Sequence, residues 1–198
     1  MKSKNHQNKA QAQLVDPITL EVIRHGIVSI NDQIDANITR TAFSPYIYEY
    51  KDYAVGMTDA NGRLIAQCNG GMPVFVADAV GAAVRDGLEI YGKARFYPGD
   101  VALCNHAAVQ GQHLNNTVMY TPIFYNHGNQ NELIGFFAIN CHWIDIGGDF
   151  GTYQATDIFS EGVQYRSVKL WSRGEPIEEV YRIIECNTRF PTELLGDI

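Results

Sequence analysis

Two strand-like segments flanking a polar turn constrain this chain more than any other feature. Residues 116–125 ("NTVMYTPIFY") and 133–142 ("LIGFFAINCH") both read as strands, and "NHGNQNE" between them is turn-like. Neighbours of this kind pair as an antiparallel hairpin, in which the residue numbers of partners sum to a constant. Placing Tyr125 opposite Leu133 then sets Asn116 opposite His142. His113 lies in the loop entering the first strand and Asp145 in the loop leaving the second, so four ligand-capable side chains gather at one hairpin end. A slip of two residues keeps them together, whereas a slip of one turns His142 to the other face.

The rest of the chain supplies partners for that hairpin. "DPITLEVIRHGIVSINDQI" opens a helix, with Asp16 as cap and Pro17 in the first turn. Ile23, Ile27, Ile30, Ile34 and Ile38 make one stripe expected to be buried, with His25 off it and on the surface. Tyr53, Val55 and Met57 alternate toward Asn61-Gly62, which supplies the positive φ of a tight hairpin, and Leu64, Ala66 and Cys68 return. A second helix is predicted through Val76, Val80, Val84, Leu88 and Tyr91, ending at Gly92. "YPGD" is a turn and "VALCN" a short buried strand. The last third reads as a glycine-rich bend ("IGGDFG"), a helix-like "TDIFSEGV", a strand "RSVKLWS" and a helix through Ile177, Val180, Tyr181 and Ile184. The expected class is mixed α/β (α+β), an antiparallel-rich sheet with packed amphipathic helices. Residues 1–14 are expected to be a disordered polar tail and 15–198 one domain. "TRFPTELLGDI" reads as an element just begun, so 15–198 is expected to be the N-terminal portion of a longer subunit.

Composition removes several function classes. A net charge of -7 gives no basic stripe to neutralise phosphates, which excludes a nucleic-acid binder. Apolar runs such as Leu133 to Ile139 are too short to span a bilayer, so no membrane association is expected. Cys68, Cys104, Cys141 and Cys186 lack zinc-ribbon or redox spacing and read as buried free thiols of a reducing compartment. The tail carries no apolar signal region, and the expected location is cytoplasmic.

The hairpin end suggests chemistry. Two imidazoles with oxygen donors suit a divalent transition metal such as zinc, manganese or iron, and not calcium, which prefers oxygens throughout. Asn116 is the weak donor, and Asp52, ahead of the first hairpin, is the candidate carboxylate. Each residue also has a plain structural reading: His113 and His142 as satisfied polar groups at strand ends, Asp145 as a cap of the "DIGG" bend, Asp52 and Glu49 as solvated charges. Cys141 points to the opposite face from His142, which argues against a Cys–His nucleophile pair. "IGGDFG" does not follow a strand and open a helix, so it is not read as a phosphate cradle.

Several stretches in order together resemble the hydantoinase B/oxoprolinase family: "DPITLEVIRHGI", "RTAFSPYIYEYKDYAVGMTDANGRLIAQ", "PGDVALCNHAAVQGQHLNNTVMYTPIF", "LIGFFAINCHWIDIGG", "ATDIFSEGVQYRSVKLW" and "NTRFPTELLGDI". The resemblance places the family's metal-site histidine of Gly-x-His-x-x-Asp on His113 and its aspartate on Asn116. It places the histidine and aspartate of His-x-x-Asp-x-Gly-Gly on His142 and Asp145, and an acidic residue on Asp52. Two departures stand out. Asn116 replaces an aspartate, and Asn105-His106-Ala107-Ala108 stands where the family commonly has Asn-Asp-Pro-Tyr.

What the resemblance implies is a B-type subunit of an ATP-dependent cyclic amide hydrolase of the N-methylhydantoinase or 5-oxoprolinase kind. ATP would be bound by a partner, an A-type subunit with an actin-like ATPase fold. Asp52, His113, Asn116 and His142 would hold the metal, and Asp145 would orient a ligand histidine or act as general base. The substrate would be a small cyclic amide. Two other readings remain: a subunit of an ATP-dependent ketone carboxylase of the acetone or acetophenone type, whose substrate is a ketone, and a degenerate non-catalytic scaffold.

Overall fold

The computed structural model describes residues 15–68, 70, 72, 79–128, 130–149 and 155–198. The expected tail over 1–14, with His6, lies outside these residues, as does Val76 of the second helical stripe. Among the described residues, seven strands form one antiparallel sheet in the order β2-β1-β5-β4-β3-β6-β7. They are β1 (Tyr53–Asp59), β2 (Leu64–Gln67), β3 (Val101–Cys104), β4 (Asn116–His127), β5 (Gln130–His142), β6 (Val168–Ser172) and β7 (Glu175–Pro176). The helices are α1 (Pro17–Thr41), α2 (Pro45–Tyr48), α3 (Ala79–Tyr91), α4 (Ala107–Gln110), α5 (Ile158–Glu161), α6 (Glu178–Cys186) and α7 (Pro191–Asp197). This is the mixed α/β class that the alternation of helices and hairpins predicts.

Alternation along the strands divides the core in two. Ala54, Ala102, Cys104, Val118, Tyr120, Phe136 and Ala138 pack with Phe96 against Val80, Ala83 and Val84 of α3. Their strand neighbours Tyr53, Val55, Leu103 and Cys141 pack on the other face with Ile47, Trp143, Leu170, Val180, Ile184 and Leu194. Side chains of successive strand residues point to opposite faces, so every strand between β1 and β3 contributes to both cores. The helix boundaries follow local chemistry. The Asp16 carboxylate accepts from the N–H groups of Ile18 and Thr19, and Gly92, at φ +66, ends α3 with its N–H on the Leu88 carbonyl at 2.9 Å.

Four expectations need correction. The stripe on α1 is buried only toward its C-terminal end: Ile34 and Ile38 pack on the core, whereas Ile23 and Ile30 are 49% and 51% exposed. A helix of 25 residues is about 37 Å long at ~1.5 Å per residue, and among the described residues α1 makes its main contacts with α2, β1 and β2 at the sheet edge. His25, with its side chain 70% exposed, does lie on the surface.

The β1–β2 connection is not the two-residue turn that Asn61-Gly62 suggests, because only Gly62 takes a positive φ, +74. The Asp59 carboxylate organises the loop instead, accepting the N–H groups of Asn61 and Arg63 at 2.8 and 3.0 Å.

In the β4–β5 hairpin most of the expected polar turn is strand, and Tyr125 faces Glu132, not Leu133. Ile123 pairs with Gly135 and Phe124 with Leu133, so Ile134 is an extra residue in β5. This bulge shifts the register by one residue, which is why Asn116 still lands opposite His142.

Finally, Cys68, Cys104 and Cys141 are buried free thiols, but Cys186 is exposed. Among the described residues, no helix is long and apolar enough to cross a membrane.

Candidate functional site

The end of the β4–β5 hairpin is closed by backbone hydrogen bonds that continue the ladders past the last strand residues. The His142 N–H donates to the Asp52 carbonyl at 2.9 Å, and the Trp143 N–H donates to the Asn115 carbonyl at 2.8 Å. Since Tyr53 pairs with Cys141, Asp52 stands beside His142 on one side, and Asn116 faces it on the other. The three share a sheet face at one end. His113 arrives from the loop before β4, where its carbonyl accepts the Asn116 N–H at 3.2 Å.

The side chains converge. The rings of His113 and His142 lie 5.0 Å apart between centroids, tilted by 58°, and Asp52 Oδ2 is 3.3 Å from His142 Nδ1. Tyr46 of α2 stacks on His142 with centroids 4.6 Å apart and fixes the plane of that imidazole. Four buried atoms here have no hydrogen-bond partner: Nδ1 of His113, Nδ1 of His142, Oδ1 of Asp52 and Nδ2 of Asn116. Buried polar atoms without partners are rare in folded proteins, and several together mark a point that ordered water or a ligand can satisfy. Burial pushes the His142 imidazole down to about 4, helped by the neighbouring His113. It also lowers His113, against the opposing charges of Asp52 and Glu161, and raises Asp52, against His113. Desolvation thus favours neutral imidazoles, the form that offers a lone pair to a cation.

Two imidazoles with oxygen donors are the donor chemistry that a divalent transition ion takes. An imidazole nitrogen binds zinc at about 2.1 Å, so two rings on one ion at a tetrahedral angle have centroids on the order of 5 Å apart. The set is nevertheless not closed. Among the described residues, no group of three or more histidine, cysteine, aspartate or glutamate side chains is poised to hold an ion.

Asp145 has other partners. It is buried, and its Oδ1 accepts from Gly147 N–H at 3.2 Å and Arg189 Nη1 at 2.8 Å. Its Oδ2 accepts the Arg189 N–H at 2.5 Å. Of the three roles foreseen for it, these bonds describe the cap of the bend, extended by an ion pair to the loop before α7.

Three contributors escape a reading by sequence spacing. Tyr46 stands too far from His142 in the chain to suggest stacking. Glu161 accepts the Leu114 N–H at 3.0 Å across 47 positions. Asn105, fully buried, donates from Nδ2 to the carbonyls of Leu114 and Val163, both at 2.9 Å, and accepts the Tyr165 N–H at 2.6 Å. The available signal for Glu161 was the Asp157/Ser160 capping box, which marks a fixed turn but not its target.

Comparison with known proteins identifies the family and the fold. A family model described as hydantoinase B/oxoprolinase matches residues 16–198. An uncharacterized protein of Methanocaldococcus jannaschii is 30% identical over 193 residues, covering 93% of this chain and 32% of that protein. The caprolactamase subunit beta of Pseudomonas jessenii is 28% identical over 187 residues, covering 93% of this chain and 31% of the relative. The crystal structure of that ATP-dependent caprolactamase superposes with a TM-score of 0.77 at 26% identity, over 92% of this chain and 31% of the other. An acetone carboxylase structure shares the fold, with a TM-score of 0.82 at 18% identity over 92% of this chain and 24% of the other. The chain spans about a third of the length of the first of these relatives.

Proposed function

The chain belongs to the hydantoinase B/oxoprolinase family, and on that premise we propose that it is a metal-dependent B-type subunit of an ATP-dependent cyclic amide hydrolase. The observation that carries the metal part is the convergence of His113, His142 and Asp52 with unpartnered buried donor atoms at one end of one hairpin. Asp52, His113 and His142 are the side chains that would hold such an ion, with the amide of Asn116 beside them. When bound, a divalent ion supplies Lewis acidity for activating water. ATP is used by a separate A-type, actin-like ATPase subunit, which phosphorylates the amide oxygen of a small cyclic substrate and prepares the ring carbon for attack. Relatives named as subunit beta of an ATP-dependent caprolactamase support a divided enzyme of this kind.

The protein's own groups have defined parts in that scheme. Tyr46 keeps the His142 ring in plane, burial keeps both imidazoles neutral, and Asp52 brings the negative charge. Asp145 acts through structure, holding the Gly147 bend and Arg189 together. We place the protein in the cytoplasm, where reduced thiols such as Cys68, Cys104 and Cys141 are stable.

The ketone carboxylase reading needs the same ion and a partner of the same type, and the fold likeness to acetone carboxylase favours keeping it as the second reading. The scaffold reading draws on Asn116. The test is metal analysis of the chain after zinc loading and desalting, followed by assay of its complex with the ATPase subunit. One assay arm supplies ATP with a hydantoin or a lactam, the other ATP with a ketone and bicarbonate. One zinc per chain, lost in His113→Ala, together with ring opening supports the hydrolase. Product in the ketone arm alone assigns the carboxylase, and no bound metal assigns the scaffold.

A further inference from the structure

The loop that carries His113 is gripped at its next residue from two sides. The Leu114 N–H donates to Glu161 Oε2 at 3.0 Å, and the Leu114 carbonyl accepts from Asn105 Nδ2 at 2.9 Å. The Leu114 side chain is itself fully buried. A residue held at both its backbone N–H and its carbonyl, and anchored by its side chain, has little freedom left, and His113 is bonded directly to it.

Glu161 is rigid for reasons of its own. The α5 turn begins with a capping box between Asp157 and Ser160. It is tied to the loop leaving β5 by the Asp149 N–H on the Ser160 carbonyl and by the Val163 N–H on the Ile146 carbonyl, both at 2.9 Å. Gly148, at φ +67, passes so close that a Cβ there would stand 2.4 Å from the Ser160 carbonyl oxygen and 2.6 Å from the Glu161 carbonyl carbon. The turn is therefore seated on the loop that follows His142, and it reaches across to the loop that precedes β4. One short element registers both histidine-bearing loops against each other.

We infer that Glu161 is a positioning residue of the metal site, its carboxylate oxygen clamping the Leu114 amide so that the His113 imidazole is held toward His142. The inference rests on the metal-site reading above and adds a residue outside the donor set. Hydrogen-bonded supports that orient metal ligands typically change affinity by about 10–100-fold when removed. The part played by Glu161 is acceptance of a hydrogen bond, so an amide oxygen in the same place serves it.

The test uses the 198-residue chain and zinc ion alone as ligand. Zinc affinity is measured by calorimetry for wild type, Glu161→Ala and Glu161→Gln, with Co(II) absorption as the spectroscopic signature. Amide hydrogen exchange of residues 112–116 is followed in the absence of metal. In Glu161→Ala, a loss of zinc affinity of about 10–100-fold, an altered Co(II) spectrum and faster exchange of the Leu114 amide are expected. In Glu161→Gln all three readouts return close to wild type. Should Glu161→Ala fail to fold, Glu161→Asp, whose carboxylate is one methylene too short for the bond, takes its place: weaker zinc binding with faster Leu114 exchange supports the clamp, and unchanged affinity overturns it. Wild type that binds zinc together with a Glu161→Ala variant of unchanged affinity overturns the clamp and leaves the metal site standing. Wild type that binds no zinc removes the metal reading and this inference with it.

Discussion

The imidazoles of His113 and His142 face each other 5.0 Å apart between centroids, with the Nδ1 atom of each buried and unpartnered. A cation shared between them would satisfy both at once. Zinc is therefore expected to stabilise the chain by about 2.7 kcal/mol at a hundredfold excess over Kd, which raises Tm by roughly 5–10 °C for a domain of this size. His113→Ala and His142→Ala should lose that increment while keeping a metal-free Tm close to wild type. Thermal unfolding with zinc and with a chelator checks both halves.

Asn116 makes a prediction whose sign depends on the metal. The residue is almost wholly buried, and Asn116→Asp places a second carboxylate near Asp52, whose own carboxyl is already pushed up by burial. Without metal the variant should be less stable than wild type by about 1–3 kcal/mol, the cost of confining an uncompensated charge. With zinc the order should reverse, because an anionic oxygen completes the donor set. Chemical denaturation curves in chelator and in zinc that fail to cross over would count against the site.

How much of this was legible follows from what each signal encodes. Alternation in β4 and β5 carries face but not register: the assumed Tyr125–Leu133 pair does not form, and Asn116 lands opposite His142 because the bulge offsets that one-residue error. The bulge at Ile134 leaves no local mark, because one extra apolar residue in an apolar run looks like strand. The α1 stripe is visible as periodicity, but periodicity does not say where the sheet ends beneath it, and Ile23 and Ile30 extend past that edge. Glu161 and Arg189 act on loops 47 and 44 positions away, distances at which only tertiary packing brings partners together.

Asp145 and Arg189 provide a test of structure against catalysis. The carboxylate is 3% exposed and the guanidinium 48%, so the pair is buried on one side only. Asp145→Ala leaves the N–H groups of Gly147 and Arg189 without acceptors and removes the guanidinium's carboxylate partner, the Gly148 carbonyl remaining, and should cost about 2–4 kcal/mol. Asp145→Asn keeps one acceptor oxygen and should recover part of that loss. Urea midpoints of the two variants measure this, and zinc affinity should follow stability without a separate drop.

A pH dependence is expected from Asp197. Its carboxylate accepts the N–H groups of Phe43 at 2.7 Å and Ser44 at 3.2 Å, yet burial, the dominant cause, raises its pKa above the ordinary value of 3.8. A raised folded value means that the folded state binds the proton more tightly than the unfolded chain. The associated stability is full below 3.8 and disappears as pH rises through the shifted value. Wild type minus Asp197→Asn should therefore be more favourable at about pH 3.5 than at pH 7. Tm measured for both proteins across that range tests the sign, and an opposite slope would show that the two backbone hydrogen bonds outweigh desolvation.

Gly87 on α3 permits the closest approach of helix to sheet in the α3 core. A Cβ there would stand 2.0 Å from Tyr120 Oη and 2.9 Å from its Cζ, and Tyr120 is 1% exposed. Helix propensity alone would make Gly87→Ala stabilising by about 0.8–1 kcal/mol. The clash acts against this, since forcing a rigid ring away from a filled core costs roughly 1–3 kcal/mol. The ring cannot swing outward, because Phe96 and Phe136 pack on it at 6.3 and 6.1 Å between centroids. Gly87→Ala should thus lower stability despite its favourable local term. The double variant with Tyr120→Phe removes the nearest atom and should regain most of the loss. A thermodynamic cycle over the two sites, read by denaturant midpoints, is expected to give a coupling of at least about 1 kcal/mol. Additive behaviour would mean that the helix sits farther from the sheet than these distances state.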